Sequence, residues 1–177
     1  MLRTNKIYLR LMELKDVTYK VEWINNNKVN RTLNFEFPIS IVNTENWVRN
    51  TANKGNRKDF IVCDIETNLP IGYAGLLQID FINKKSETYL GIGNTDYWGR
   101  GIGLEIKYLL CEYAFDYLNL EKVYSYHHND NYSMIRINEK LGGKTDGVLR
   151  KDLHLPNNII KDRIIMSILK DEFKRNL

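Results

Sequence analysis

From Lys6 to Met12 hydrophobic and polar residues alternate, with Ile7, Leu9 and Leu11 on one side and Tyr8, Arg10 and Met12 on the other. A period of two predicts a strand. Asp16 stands where an N-cap belongs, ahead of a helical run through Val17, Val21, Trp23 and Ile24 that stops at Asn25-Asn26-Asn27. A second short helix is predicted from Asn43 or Thr44, carrying Trp47 and Val48, and the stretch from Arg31 to Ile41 between them reads as loop. Three strands follow: Phe60 to Ile65, Ile71 to Phe81 and Glu87 to Ile92. The turn chemistry of Glu66 to Pro70 and of Asn83-Lys84-Lys85 makes them an antiparallel meander.

The period then changes. Ile106, Leu109, Leu110, Tyr113, Ala114 and Tyr117 fall at the spacing of an amphipathic helix of about four turns. Asn119 ends it, and Lys122 to His127 reads as a buried strand. Asn131 can cap a further helix with Met134, Ile137 and Leu141 inward, closed by Gly142-Gly143. Gly147 to Leu149 and Ile159 to Leu169 supply two last strands. A strand, a glycine turn, a helix and a strand in succession imply one parallel pair with a right-handed crossover. The expected fold is therefore α/β (α+β), with a mixed, mostly antiparallel sheet and flanking helices.

Five of the eleven glycines lie between Gly91 and Gly103. At their centre is Trp98-Gly99-Arg100-Gly101-Ile102-Gly103, set between a strand and the strongest helix. Alternate glycines let backbone N–H groups turn into one concavity, and the helix N-terminus adds unpaired donors and partial positive charge. Such a loop suits a phosphate or diphosphate, and Arg100 offers a charge-assisted contact. It is not a P-loop, because Gly103 is followed by Leu104-Glu105 where Lys-Ser/Thr is required. It is not a dinucleotide fingerprint either, because the spacing is G-x-G-x-G and the loop follows an antiparallel meander.

Composition narrows the classes. The 177 residues suit one domain over residues 1–177, with no repeat or linker at which a second would begin. The hydrophobic fraction of 43% and charged fraction of 27% are those of a globular protein. Apolar runs such as Ile164-Ile165-Met166 fall far short of the ~20 residues of a membrane span. The net charge of +4 is scattered, so no nucleic-acid arm or polybasic membrane anchor is expected. Cys63 and Cys111 form neither a disulfide framework nor a zinc motif, so no metal is expected. The first residues lack an apolar core for a signal peptide, and a cytoplasmic setting is the expectation.

The order of elements, with Trp98 to Gly103, resembles the GCN5-related N-acetyltransferases (GNAT), in the Rim-type branch that includes ribosomal-protein N-terminal acetyltransferases. Tyr8 to Leu11 with Asp16, Trp23-Ile24-Asn25, Pro70 to Gly75, and Asn131 with Glu139 to Gly142 resemble further blocks of that branch. The resemblance implies acetyl-CoA as acyl donor and a small-molecule or peptide amine as acceptor. It places the coenzyme diphosphate on Trp98, Gly99, Arg100, Gly101, Ile102 and Gly103, and the pantetheine against Leu90 to Ile92 and Asn131. Dimers are common in proteins of this kind, so a homodimer is in view.

An alkylamine with a pKa of about 10.4 is almost wholly protonated at pH 7, so acyl transfer needs a base or a desolvating site. Glu87 and Glu36 are the candidate bases, and a solvated surface carboxylate is the alternative for each. Inward-facing Glu36, Glu87 and Asp80 would favour a cationic acceptor, and Trp23 or Tyr89 could stack on a sugar. One of His127 and His128 must point inward, and His154 lies on a late loop before Pro156. The helix tyrosine that protonates the thiolate in many relatives aligns with Asn138, leaving Ser133 as the substitute acid. That departure sustains an alternative, a non-catalytic acyl-CoA-binding module.

Overall fold

The computed structural model describes residues 2–30, 37–155 and 158–176. Glu36, a predicted base, lies outside the described residues. Seven strands form one sheet in the order β1-β2-β3-β4-β5-β7-β6. They are β1 (Ile7–Leu11), β2 (Lys58–Asp64), β3 (Pro70–Asp80), β4 (Lys85–Ile92), β5 (Lys122–His128), β6 (Lys144–Leu155) and β7 (Ile159–Leu169). The helices are α1 (Val17–Asn25), the single turn α2 (Asn27–Asn30), α3 (Ile41–Asn50), α4 (Ile102–Glu112) and α5 (Tyr132–Lys140). Every pairing is antiparallel except β4 with β5. This is the expected mixed sheet with one parallel pair.

Alternation along the strands divides the apolar residues between two cores. Phe60 and Val62 join Ile71, Ala74, Ile106, Leu109 and Leu110 in the core beneath α4, while Ile61 and Cys63 join Met12, Trp23, Ile24 and Tyr73 beneath α1. Burying both faces of β2 and β3 supplies the main driving force for the fold, at roughly 1.5–3 kcal/mol for each large apolar side chain.

The sequence reading needs correction in several places. Met12 is buried and Leu11 exposed, because β1 ends at Leu11 and the chain turns Met12 into the second core. Asp16 does not cap α1 through its side chain. Its buried carboxylate instead accepts two bonds from Arg10 (2.7 and 2.6 Å) and one from the Glu13 amide (2.9 Å). Helix α3 starts two residues earlier than predicted, capped by Ser40, whose Oγ accepts from the Asn43 amide at 3.1 Å. After Glu112 the backbone widens into a π-turn over Tyr113–Tyr117, which carries Tyr117 out to solvent. Strand β6 is far longer than Gly147 to Leu149 and includes His154, because β7 pairs with its polar residues as a hairpin at the sheet edge.

No helix among the described residues is long and apolar enough to cross a membrane. Nor do they contain a group of three or more His, Cys, Asp or Glu able to hold a metal ion.

Candidate functional site

Strands β4 and β5 pair only from Lys85–Lys122 to Glu87–Tyr124, and then they part. The last tie is the Thr88 hydroxyl, which donates to the Tyr124 carbonyl at 3.2 Å. Beyond it the β5-facing backbone edge of β4 has no strand partner, and a cleft of about 330 Å³ opens between the strands. Its lining includes Glu87, Leu90, Lys107, His127, Asn131 and Met134. The glycine loop sits just beyond the end of β4. The Trp98 indole N–H donates to the Ile92 carbonyl at 3.0 Å and pins the loop to the strand.

Gly99 and Gly101 have φ of +75° and +80°, the left-handed region where a side chain is strained. A Cβ at either would meet nothing within 4 Å, so conformation rather than crowding calls for glycine. Among the described residues none accepts from the amides of Gly99 to Gly103. Ile102 and Gly103 open α4, so these donors and the helix dipole share one end. Arg100 is exposed, its guanidinium 5.3 Å from the Tyr97 ring centre. The arrangement can hold an anion of diphosphate size on backbone amides, and the unpaired edge of β4 can accept an extended amide-bearing chain. These are the features a bound coenzyme A needs.

The floor of the cleft holds a polar network that periodicity did not reveal. Lys107 on α4 is 1% exposed and donates to Thr88 Oγ1 (2.5 Å) on β4 and Ser125 Oγ (3.1 Å) on β5, spanning the strands where they separate. It pairs with no described carboxylate. Burial lowers its pKa to about 8. An ammonium has three donors, so one N–H is left without an acceptor among the described residues. Asn138, buried on α5, donates from Nδ2 to the Met134 carbonyl (2.8 Å) and to His127 Nε2 (3.1 Å). The carbonyl contact fixes which end of the amide is nitrogen, so Nε2 must be the unprotonated ring atom. Ser125 donates to the same nitrogen at 2.9 Å. Burial, with the Lys107 charge next, lowers His127 to about 4 and keeps it neutral.

The other predicted residues fall in different places. Glu87 lines the cleft, and burial raises its carboxyl above the ordinary range against the opposing effect of Arg163. Asn131 is both helix cap, accepting from the Met134 amide at 3.2 Å, and cleft wall. Ser133 is exposed on the outer side of α5 and lines neither cavity. Asp80 is taken up by its own turn, accepting from the Ile82 and Asn83 amides and from Asn83 Nδ2. Trp23 is buried in the second core against Tyr73 and lines neither cavity.

On the other side of β4 lies a larger cavity of about 740 Å³, walled by α1, the segment Phe37 to Ser40, α3, Arg57 ahead of β2, β3 and β4. Tyr89 and Leu90 line both this cavity and the cleft. The Tyr89 hydroxyl donates to Asp59 at 2.5 Å, and burial raises its pKa well above the usual range. Lys20, Trp47, Arg57 and Tyr73 complete the polar and aromatic lining.

Comparison with known proteins agrees with this geometry. The family model "Acetyltransferase (GNAT) domain" matches residues 6–144. An uncharacterized N-acetyltransferase, p20, from Bacillus licheniformis is 26% identical over 176 residues, covering 97% of each chain. Spermidine N(1)-acetyltransferase from Escherichia coli K12 is 26% identical over 171 residues, covering 96% of this chain and 89% of the relative. The Vibrio cholerae spermidine N-acetyltransferase solved with CoA and spermine superposes with a TM-score of 0.86 at 24% identity, covering 96% and 98% of the two chains.

Proposed function

The chain belongs to the GNAT acetyltransferase family, enzymes that carry an acetyl group from acetyl-CoA to an amine, and we propose that its own acceptor is a small primary amine held in the cavity between α1, α3 and β4. One observation carries this reading: Tyr89 and Leu90 form a wall common to the donor cleft and the acceptor cavity, so the two reactants meet across a single strand. A volume of about 740 Å³ suits a small molecule. The spermidine acetyltransferases among the relatives also act on small amines by name.

In this proposal the amides of Gly99 to Gly103 with Arg100 hold the coenzyme diphosphate, and the free edge of β4 near Leu90 and Ile92 with Asn131 holds the pantetheine. Acetyl-CoA brings an acyl group activated as a thioester. Glu87 lines the donor cleft and not the acceptor cavity, so it takes the proton once the amine reaches past the Tyr89–Leu90 wall to the thioester; its burial makes it a stronger base than a solvated carboxylate. Lys107 presents its spare N–H to the negative charge that develops on the sulfur, the role for which Ser133 is badly placed. The Trp98–Gly103 loop and the Asn131 helix support placement in the Rim-type branch. A cytoplasmic setting and a homodimer belong to the same proposal.

Release of CoA thiol from acetyl-CoA across a panel of small amines and peptide N-termini tests the reading. Turnover is expected with small amines, and Glu87→Gln should lower kcat at pH 7 by about 100-fold. Tight acetyl-CoA binding without turnover on any amine would make the protein an acyl-CoA-binding module instead.

A further inference from the structure

A buried ammonium on the wall of the proposed acceptor cavity pairs with no carboxylate among the described residues. Lys20 on α1 supplies it and is 7% exposed, with Nζ 3.7 Å from the centre of the Trp47 ring and 5.6 Å from that of Tyr73. It makes no ion pair or hydrogen bond with a described side chain; its closest described neighbours of opposite polarity are aromatic faces, with the Asp59 charge felt only at longer range. Of the other charged side chains described near it, Arg57 and Asp59 answer each other. Arg57, just ahead of β2, grips Asp59 through two bonds of 2.8 and 2.7 Å, and Asp59 also accepts from the Tyr89 hydroxyl at 2.5 Å and the Asn53 amide at 3.2 Å. Asp59 is wholly buried behind the wall, and no described Asp or Glu lines the cavity.

Two further features ask for a ligand that accepts hydrogen bonds. The Tyr73 hydroxyl is buried, borders the cavity and has no hydrogen-bond partner among the described residues. Ser40, Asn43 and Thr44 bring the ten-residue helix α3 to the cavity by its N-terminal end, the positive end of its dipole. A polyamine would bring two or more ammonium groups to a site that already holds one. Carboxylates would be needed to receive them, and among the described residues none is placed to do so: the expected Asp80 is spent on its own turn, and Glu36 lies outside the described residues.

We propose that the acceptor carries, beside its amine, an acidic group, a phosphate or a carboxylate, which seats on Lys20 and the Tyr73 hydroxyl. The inference rests on the small-amine reading and sets this protein apart from relatives named for spermidine. Lys20 answers the acidic group, while Trp47 and Tyr89 pack against the body of the acceptor. Burial lowers Lys20 to about 8, so it is largely protonated at pH 7, with Asp59 favouring and Arg57 opposing its charge. The acidic group's hold should therefore weaken as pH rises through 8.

The test uses matched pairs: glucosamine 6-phosphate with glucosamine, β-alanine with propylamine, and spermidine alone. CoA-thiol release is measured for each, and calorimetry reads binding of the acidic members without turnover. At least one acidic member is expected to exceed both its neutral partner and spermidine in kcat/KM by about tenfold or more. The pair that responds identifies phosphate or carboxylate. Lys20→Met, close in shape and without the buried charge, should erase that preference, and Lys20→Arg should restore part of it. Acetyl-CoA affinity serves as the check that each variant is folded. Preference for spermidine over both acidic amines, or a preference that survives Lys20→Met, overturns the proposal while leaving the small-amine reading intact. Lys20-dependent binding of an acidic amine, with no turnover on any amine of the panel, would instead uphold the anion seat and defeat the small-amine acetyl-transfer reading.

Discussion

Two cavities meet at β4, and they are built from different materials. The donor cleft is made largely of backbone: an unpaired strand edge, a glycine loop and a helix terminus, floored by the Lys107 network. The cavity proposed for the acceptor is made of side chains, with Trp47, Tyr73 and Tyr89 around Lys20 and Arg57. Backbone recognition constrains few residue types, so one donor site can persist while its sequence drifts. Side-chain recognition changes with single substitutions, so acceptor choice is free to diverge. Identity of 26% over nearly the whole chain to a spermidine acetyltransferase is compatible with a different acceptor for this reason.

That contrast can be broken first at the loop. Gly101→Asp forces a side chain into the left-handed region and sets a carboxylate against the diphosphate seat. It should weaken CoA binding by about 1,000-fold, or ~4 kcal/mol, by calorimetry. An acidic acceptor should still bind that variant if the two cavities are separate in their recognition.

Next in size is the acid response of the cleft floor. His127 has a folded pKa of about 4 against 6.5 when free, so the unfolded chain binds more protons between those values. Its contribution to stability is complete above pH 6.5 and is lost as pH falls toward 4, by about 3 kcal/mol. His127→Gln keeps an acceptor for Asn138 and Ser125, and should flatten urea-derived stability across that window. An unchanged slope would show that the ring is not held neutral by this network.

Lys107→Met sharpens the contrast from within. It should lower kcat by about 100-fold, or ~2.7 kcal/mol, with little change in acetyl-CoA affinity. A loss confined to affinity would make Lys107 a strut between β4 and β5 and not a group that meets developing charge.

Much of the fold was legible because period is a local property. The meander, the amphipathic stripe of α4 and the Asn131 cap each follow from neighbours in sequence. Misreadings came where a distant partner intervened. Asp16 has the chemistry of a cap, but Arg10 on β1 outcompetes the helix for its carboxylate. Strand β6 is polar and reads as loop until β7 supplies its backbone partners. Lys107 stands one residue from the apolar stripe, and the only signal was a lysine where the helix faces the sheet. Lys20 likewise sits among the apolar residues of α1.

By itself, the sequence determined the class of chemistry: a strand, a glycine loop and a helix start at Gly99 to Gly103 specify an anion cradle wherever they fold together. Only tertiary structure decided what surrounds it. The parting of β4 and β5, the bridging of that gap by Lys107 and the seating of Lys20 against Trp47 and Tyr73 depend on residues far apart in the chain. Their energies arise from burial and pairing, and a linear pattern records neither.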